Sequence, residues 1–270
     1  MPTEEVTTRR NGALRAGHGD GLRAGQGDDL WTGAATHIWQ GQVADQLGPE
    51  DLALLSREER ARYEQLRPAA GAHYAGIHAG LRRLLAEYLD VAPADIRIGP
   101  ARCPGCGAHD HGPPHILWPH TELVFSLSRS GPHWLVGVTL GPRRIGVDIE
   151  TVRNIVVEEV APAAFSPAEL AVLYGESDVS ARTAMFYRAW TRKEAVVKAS
   201  GVGIVAGLRN VEVLGTASGP TRVHHQAHPE SPAEWCVQDL FPESESSRNR
   251  WFAAVAQDIE NMSRICFRAR

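Results

Sequence analysis

The stretch from Arg144 to Glu150 constrains this chain more than any other. It reads Arg-Ile-Gly-Val-Asp-Ile-Glu, with apolar Ile145, Val147 and Ile149 alternating against Gly146, Asp148 and Glu150. Such a period of two is that of a strand with one face in a core. Asp148 and Glu150 then share the other face, roughly 7 Å apart, close enough for two carboxylates to share a cation held between them. Gly146, on that same face, leaves room for a ligand.

Downstream, Ala181 to Ser200 lacks proline, is rich in Ala, Arg, Lys, Glu and Met, and is followed by Gly201 as a C-terminal stop. These features predict a helix. At about 100° per residue, Trp190, Lys193, Glu194, Val197 and Lys198 fall within an arc of roughly 140°. Taken alone, an Asp-x-Glu pair is ordinary solvated edge charge, and a Glu-to-Lys pair four residues apart is surface decoration worth a few tenths of a kcal/mol. Together, in this order, three carboxylates and two lysines suit one hard metal ion and one phosphate ester, which points to an enzyme.

Composition sets wide bounds. A chain of 270 residues with 43% hydrophobic and 22% charged residues can bury a full core in one domain or two small lobes. The formal charge of −4 argues against a general nucleic-acid binder, so an acidic partner must be met by a local basic patch such as Arg57 to Arg67. There is no apolar run of about eighteen residues and no apolar signal core, and four cysteines make no disulfide framework. The expectation is a cytoplasmic protein with reduced thiols and no membrane span.

Residues 1–35 are rich in Gly, Arg and Asp and contain a near-repeat, Leu14-Arg15-Ala16-Gly17-His18-Gly19-Asp20-Gly21 followed by Leu22-Arg23-Ala24-Gly25-Gln26-Gly27-Asp28-Asp29. A segment so poor in apolar residues is expected to be a disordered or loosely docked leader. After it we expect a strand near Thr36 to Gln40, a helix from about Ser56 with Ser56 and Glu59 as a capping box, and a longer helix over Ala72 to Leu89. Strands follow near Asp95 to Ile98, Leu123 to Ser128, His133 to Thr139 and Arg144 to Glu150, read as an antiparallel meander. Beyond Thr151 come a helix capped at Ser166, the lysine helix, and strands near Val211 to Val213, Trp235 to Asp239 and Trp251 to Ala256.

The two signatures resemble those of the 4′-phosphopantetheinyl transferases, in particular the larger surfactin-type branch. Gly146-Val147-Asp148-Ile149-Glu150 is similar to that family's Gly-(Ile/Val)-Asp-x-Glu, and Trp190-Thr191-Arg192-Lys193-Glu194-Ala195-Val196-Val197-Lys198 to its Trp-x-x-Lys-Glu-(Ala/Ser)-x-x-Lys. Phe125 to Ser130 resembles the Phe-Asn-x-Ser-His-Ser strand, and the likeness extends over about Ile38 to Val255. The resemblance implies an α+β fold of two structurally similar α/β halves, residues 36–150 and 151–270, with coenzyme A in the cleft between them. It implies transfer of the phosphopantetheine arm to a serine of an acyl or peptidyl carrier protein serving fatty-acid, polyketide or nonribosomal-peptide synthesis, with release of adenosine 3′,5′-bisphosphate by a monomer. Mg2+ would be bound by Asp148, Glu150 and Glu194. Glu194 would also act as base, Lys193 and Lys198 would hold phosphate oxygens, and Ser128 and Arg129 would contact coenzyme A.

Three departures bear on how coenzyme A is held. Arg129 stands where the family has histidine, Gly112-Pro113-Pro114 where it often has Gly-Lys-Pro, and Tyr74 where it generally has arginine. Cations for the substitute grip come from Arg60, Arg62, Arg67 or Arg83, with His73 beside Tyr74 as a further contact. A rival reading, a coenzyme A or carrier-protein binding module without turnover, draws on those missing cations, while the complete set of Asp148, Glu150, Glu194 and Lys198 argues against it.

The signatures leave Cys103-Pro104-Gly105-Cys106-Gly107-Ala108-His109-Asp110-His111 unexplained. Cys-Pro-x-Cys-Gly has the shape of a zinc knuckle, and His109 and His111 would complete four ligands. Structural zinc sites normally use two well-separated ligand pairs, and here all four lie in one short run. The spacing therefore favours a loop with reduced cysteines over zinc at Cys103, Cys106, His109 and His111.

Overall fold

The computed structural model describes residues 35–43, 46–203, 207–214, 219–228, 232–241 and 251–268. Apart from Ala35, the leader expected over 1–35 lies outside these residues. Two four-stranded sheets and two 22-residue helices dominate the described chain, in the mixed α+β class expected from the sequence.

The first sheet has the order β10 (Arg264–Arg268), β1 (Ala35–Gln42), β5 (His133–Leu140), β4 (Leu123–Ser130), with β1 antiparallel to β5 and parallel to β10. Helix α3 (Pro68–Leu89) lies on its outer face. Pro68 opens that helix at its first position, and Asp90, with φ 52°, ends it in the left-handed region. Ile77, Leu81, Leu84, Leu85 and Tyr88 recur at helical spacing and pack with Trp39, Phe125, Trp134, Val136 and Val138 of the sheet. Two short helices, α1 (Pro49–Leu54) and α2 (Arg57–Glu64), brace α3. The capping box read from Ser56 and Glu59 is present, at 3.1 and 2.7 Å. Glu59 also takes Arg82 and His78 of α3, so one carboxylate both starts α2 and docks it.

The second sheet has the order β6 (Ile145–Thr151), β9 (Trp251–Asp258), β8 (Glu234–Asp239), β7 (Thr221–His224), antiparallel throughout. Its outer face carries α6 (Val179–Ser200), capped by Asp178 and closed by Gly201 at φ 78°. Before it run α4 (Val157–Val160) and α5 (Pro167–Gly175), the latter capped by Ser166 with Glu169. The inner faces of the two sheets meet over Ile38, Leu135, Ile145, Val147, Ile149, Trp251, Ala253 and Val255. The layers therefore run helix, sheet, sheet, helix. Strands β5 and β9 are buried on both faces: Trp134 and Val136 face α3 while Leu135 faces the other sheet, and Phe252 and Ala254 face α6 while Ala253 faces inward.

The wiring repeats. In each half a first strand (β1, β6) leads through helices to a long one (α3, α6), after which a meander returns so that its last strand (β5, β9) lies beside the first. The expected four-strand meander is corrected on this point. Strand β6 does not pair with β5; it crosses to the second sheet, because its apolar face closes the core between the sheets. A strand assigned by sequence to residues 36–150 thus belongs to the second sheet, and β10, from 151–270, completes the first. The short strand β2 (Arg97–Pro100) pairs with the unanticipated β3 (Pro114–Trp118). Residues 211–213 form no strand but follow a 3-10 turn at Leu208–Asn210. No described helix is long and apolar enough to cross a membrane.

Two edges, β4 and β6, face each other without pairing as strands. The hydroxyls of Ser126, Ser128 and Ser130 on β4 accept hydrogen bonds from the backbone N–H groups of Val147, Ile149 and Thr151 at 3.1, 3.3 and 3.0 Å. Side chains thereby satisfy edge donors that would otherwise be buried unpaired. Behind β6, a Cβ on Gly146 would lie 2.0 Å from Ala195 O and 2.4 Å from Ala199 N, so the backbones of strand and helix are in contact. The space read from Gly146 as room for a ligand is filled by α6. Gly146→Ala should therefore lower stability by about 3 kcal/mol, and a thermal midpoint within a degree or two of wild type would refute the close approach.

Candidate active site

Because β6 and α6 touch at Gly146, the residues beside that contact, Asp148 and Glu150 on the strand and Glu194 and Lys198 on the helix, are brought together. The Lys198 ammonium lies 2.5 Å from Asp148 Oδ1 and 2.9 Å from Ser128 Oγ. Ser128 donates to the same Asp148 oxygen at 2.8 Å, and Ser130 donates to Glu150 Oε2 at 2.8 Å. The serines that tie the two edges therefore also aim the two carboxylates. Arg153 reaches Glu150 at 3.4 Å from an exposed position.

The charges do not balance. Three carboxylates face one ammonium and a solvent-screened guanidinium, in a site where Asp148 and Glu194 are buried. Burial, and then the charge of Asp148, pushes Glu150 above the ordinary carboxylate range. The same causes push Glu194 up to about 7. Asp148 Oδ2 is buried with no hydrogen-bond partner. A buried acceptor without a donor, beside two carboxylates reluctant to ionise, could accept a cation. The donor set, all hard oxygen, matches Mg2+ rather than a thiophilic ion. Its oxygens do not form a closed cage: among the described residues the only trio of His, Cys, Asp or Glu ligand atoms within 4.8 Å of one another lies elsewhere.

Several residues assigned to coenzyme A are otherwise engaged. Lys193 is 0% exposed, and its ammonium donates to Glu169 Oε2 at 2.6 Å, to Leu208 O at 3.1 Å and to Val211 O. All three of its N–H donors are used inside the core, so it is not a phosphate clamp. The helical arc is too wide to keep all these side chains on one neighbour: Lys193 sits about 100° from Glu194 and roughly 140° from Lys198, far enough to point at α5 instead of β6. Ser128 accepts from Ile149 N–H and Lys198 and donates to Asp148, which exhausts its hydroxyl and makes it a positioning residue rather than a coenzyme A contact. Arg83 is ion-paired with Asp51 at 2.6 Å and docks α1 on α3. His73 lies half-buried on α3, next to Tyr74.

Arg129 and Arg62 behave differently. The Arg129 guanidinium lies 5.0 Å from the centroid of the Tyr74 ring, a cation–π contact, and Tyr74 in turn stacks on His78 at 4.1 Å. Burial pushes Arg129 down, and the charge of Arg62 adds to that. Neither arginine has a carboxylate partner among the described residues. Two neighbouring cations beside an aromatic face form a place for an anion. The sequence placed Tyr74 as a lost cation; the geometry makes it the support for Arg129. Ser130 and Arg153, unassigned from sequence, also join the site, and the serine alternation at 126, 128 and 130 was the signal for the first.

A sequence model of the 4′-phosphopantetheinyl transferase superfamily matches residues 144–256, the segment holding Asp148, Glu150, Glu194 and Lys198. The 4′-phosphopantetheinyl transferase HetI of Nostoc is 30% identical over 199 residues, covering 72% of this chain and 77% of HetI. The chain belongs to the 4′-phosphopantetheinyl transferase superfamily. A Synechocystis protein provisionally given that name is 35% identical over 59% of this chain, though the match spans only 62% of its own length. A Bacillus subtilis 4′-phosphopantetheinyl transferase is 28% identical over 62% of this chain and 70% of its own length. As a superfamily member, the chain keeps its four central site residues inside the matched segment, while Arg62, Tyr74 and Arg129 lie outside it.

Two predictions follow from these charges. Folding takes Glu194 from 4.5 to about 7, so between those pH values the folded chain binds the extra proton and metal-free stability falls as pH rises. Relative to Glu194→Gln, wild type in chelator should lose up to about 3 kcal/mol across that window; wild-type stability that holds level or rises with pH relative to the variant would refute the shift. Lys193→Met should cost about 3–5 kcal/mol by stranding the Glu169 carboxylate, and Lys193→Met with Glu169→Gln should recover part of it. Urea unfolding of both variants checks this, and losses that simply add would show that the two groups are not coupled.

Proposed function

We propose that this protein transfers the 4′-phosphopantetheine arm of coenzyme A to a serine of an apo acyl or peptidyl carrier protein, releasing adenosine 3′,5′-bisphosphate. The observation that carries the reading is the juxtaposition, across the contact of β6 and α6, of Asp148, Glu150 and Glu194 with Lys198. Superfamily membership and the names of the relatives support the general reaction, and the repeated wiring of the two halves supports the larger, surfactin-type branch.

In this reading Glu194 takes the proton of the attacking serine hydroxyl. The serine oxygen forms a bond to the β-phosphorus of coenzyme A as the bond from that phosphorus to the bridging oxygen breaks. Lys198 is bound to Asp148 but 30% exposed, and its ammonium stabilises the charge on the departing bisphosphate. Asp148 (through its unpartnered Oδ2), Glu150 and Glu194 would hold Mg2+, whose charge when bound offsets that of the pyrophosphate. Arg129, braced on Tyr74, and Arg62 take up phosphate oxygens of the nucleotide part, in place of the histidine and arginine usual in the family.

The protein incubated with magnesium, coenzyme A and an apo carrier domain should add the mass of one phosphopantetheine arm to the carrier. Glu194→Gln should slow that gain by about 10²- to 10⁴-fold while still binding coenzyme A. An unchanged carrier mass across fatty-acid, polyketide and nonribosomal-peptide carriers, with coenzyme A still bound, would replace the transferase with a binding module.

A further inference from the structure

The loop between β2 and β3 gathers side chains that the transfer reaction does not use. The Sγ atoms of Cys103 and Cys106 and a ring nitrogen of His111 lie within 4.8 Å of one another. His111 Nε2 is 3.1 Å from Cys106 Sγ, and on the other side of the ring Nδ1 is 2.6 Å from Asp110 Oδ1. A carboxylate accepts only, so Nδ1 carries the hydrogen and Nε2 turns its lone pair toward the sulfurs. That is the tautomer of a metal-ligating histidine with a carboxylate in its outer shell. Cys103, which accepts hydrogen bonds from the amides of Gly105 and Cys106, is buried, while Cys106 and His111 are exposed, so the group is open to solvent on one side. His109 lies outside it, which corrects the four-residue ligand set drawn from the sequence.

The loop that carries the group is itself shaped by short contacts. Ala101 N–H bonds Pro113 O at its base, and Cys103 N–H and Gly107 N–H close the turn on Ala108 O and Cys103 O, at 2.7–2.8 Å. Gly107 adopts φ 78°, and a Cβ on Gly112 would lie 1.8 Å from Ala101 O. The loop rests on the end of α6: a Cβ at Gly201 would meet Pro104 and Pro113 at 3.2 and 3.4 Å, and one at Gly105 would meet Val202 at 3.2 Å. Lys198 is three residues back along that helix.

We propose that Cys103, Cys106 and His111 form a binding site for a thiophilic divalent ion, Zn2+ by donor chemistry, with a fourth position open to water. Two thiolates and an imidazole select zinc over magnesium, so this site and the carboxylate site take different ions. Nearness in sequence, which argued against zinc when ligands were counted along the chain, is no obstacle once the turn at Gly105 to Gly107 brings the three atoms together. The bound ion would fasten the loop 101–113 against the C-terminal end of the helix that bears Glu194 and Lys198.

The test uses the full chain, purified under reducing conditions without chelator or a metal-affinity step. Elemental analysis should find about one zinc per chain, and protein stripped and reloaded with Co2+ should show the thiolate charge-transfer and d–d bands of a tetrahedral site. Cys103→Ser with Cys106→Ser should abolish both signals, whereas His109→Ala should keep them. Less than about a tenth of an equivalent, both as purified and after reloading, overturns the proposal. So does metal retained in full by the double serine variant, or a Cys103–Cys106 disulfide that takes up no cobalt once reduced. Should the serine variant fail to fold, the cobalt spectrum of the unaltered chain decides. None of these readouts involves coenzyme A or a carrier, so they stand or fall apart from the transfer reaction.

Discussion

Three serine hydroxyls hold this molecule's two halves in working relation. Ser126, Ser128 and Ser130 reach across from β4 to the free N–H groups of β6, and two of them pass their own hydrogens to Asp148 and Glu150. Each such bond contributes about 1 kcal/mol net, but each buried N–H left without a partner would cost as much again or more. The docking of the sheets and the aim of the carboxylates are thus set by the same atoms. A shift of one sheet along the other would take the serine donors away from both carboxylates.

The helix that completes the site divides its charges by depth. Arg192 is buried in a two-pronged pair with Asp239 of β8, at 2.8 Å for both bonds, and fastens α6 to the sheet. Lys193, next in sequence, turns the other way to Glu169, whose second oxygen accepts the N–H groups of Val213 and Leu214. Two of the three basic side chains in this stretch are therefore neutralised structural parts. Lys198 alone of the three keeps contact with solvent, and it is the one that sits beside Asp148. A run of residues that reads as one catalytic signature serves anchoring and chemistry by turns.

Local signals were legible in the sequence, and contacts between distant segments were not. Alternation fixed β6, the capping residues Ser56 and Ser166 fixed the starts of α2 and α5, and Gly201 fixed the end of α6, since each depends on neighbours within a few positions. The pairing of β6 with β9 instead of β5 depends on which apolar face meets which core, and a strand buried on both faces, such as β5 or β9, carries no alternation to read. In the site, Asp148, Glu150, Glu194 and Lys198 were identified as a group because strand and helix periods place them. Lys193 was misread because an arc of about 140° is wide enough to span two different neighbours. Gly146 was read as space for a ligand when a helix backbone occupies it, a distinction that no single strand's sequence contains.

The parallel pairing of β10 with β1 joins positions more than two hundred residues apart. It is reinforced where Thr36 meets Gln257 and Ser263, and where Arg268 approaches His37. During synthesis, β1 emerges early and can pair with β5, yet its other edge stays bare until residues 264–268 leave the ribosome. Through that interval the nascent first sheet offers an unpaired row of donors and acceptors to any neighbouring chain. Completion of the first sheet waits on residues 264–268, more than two hundred residues after β1, so this pairing forms late in synthesis.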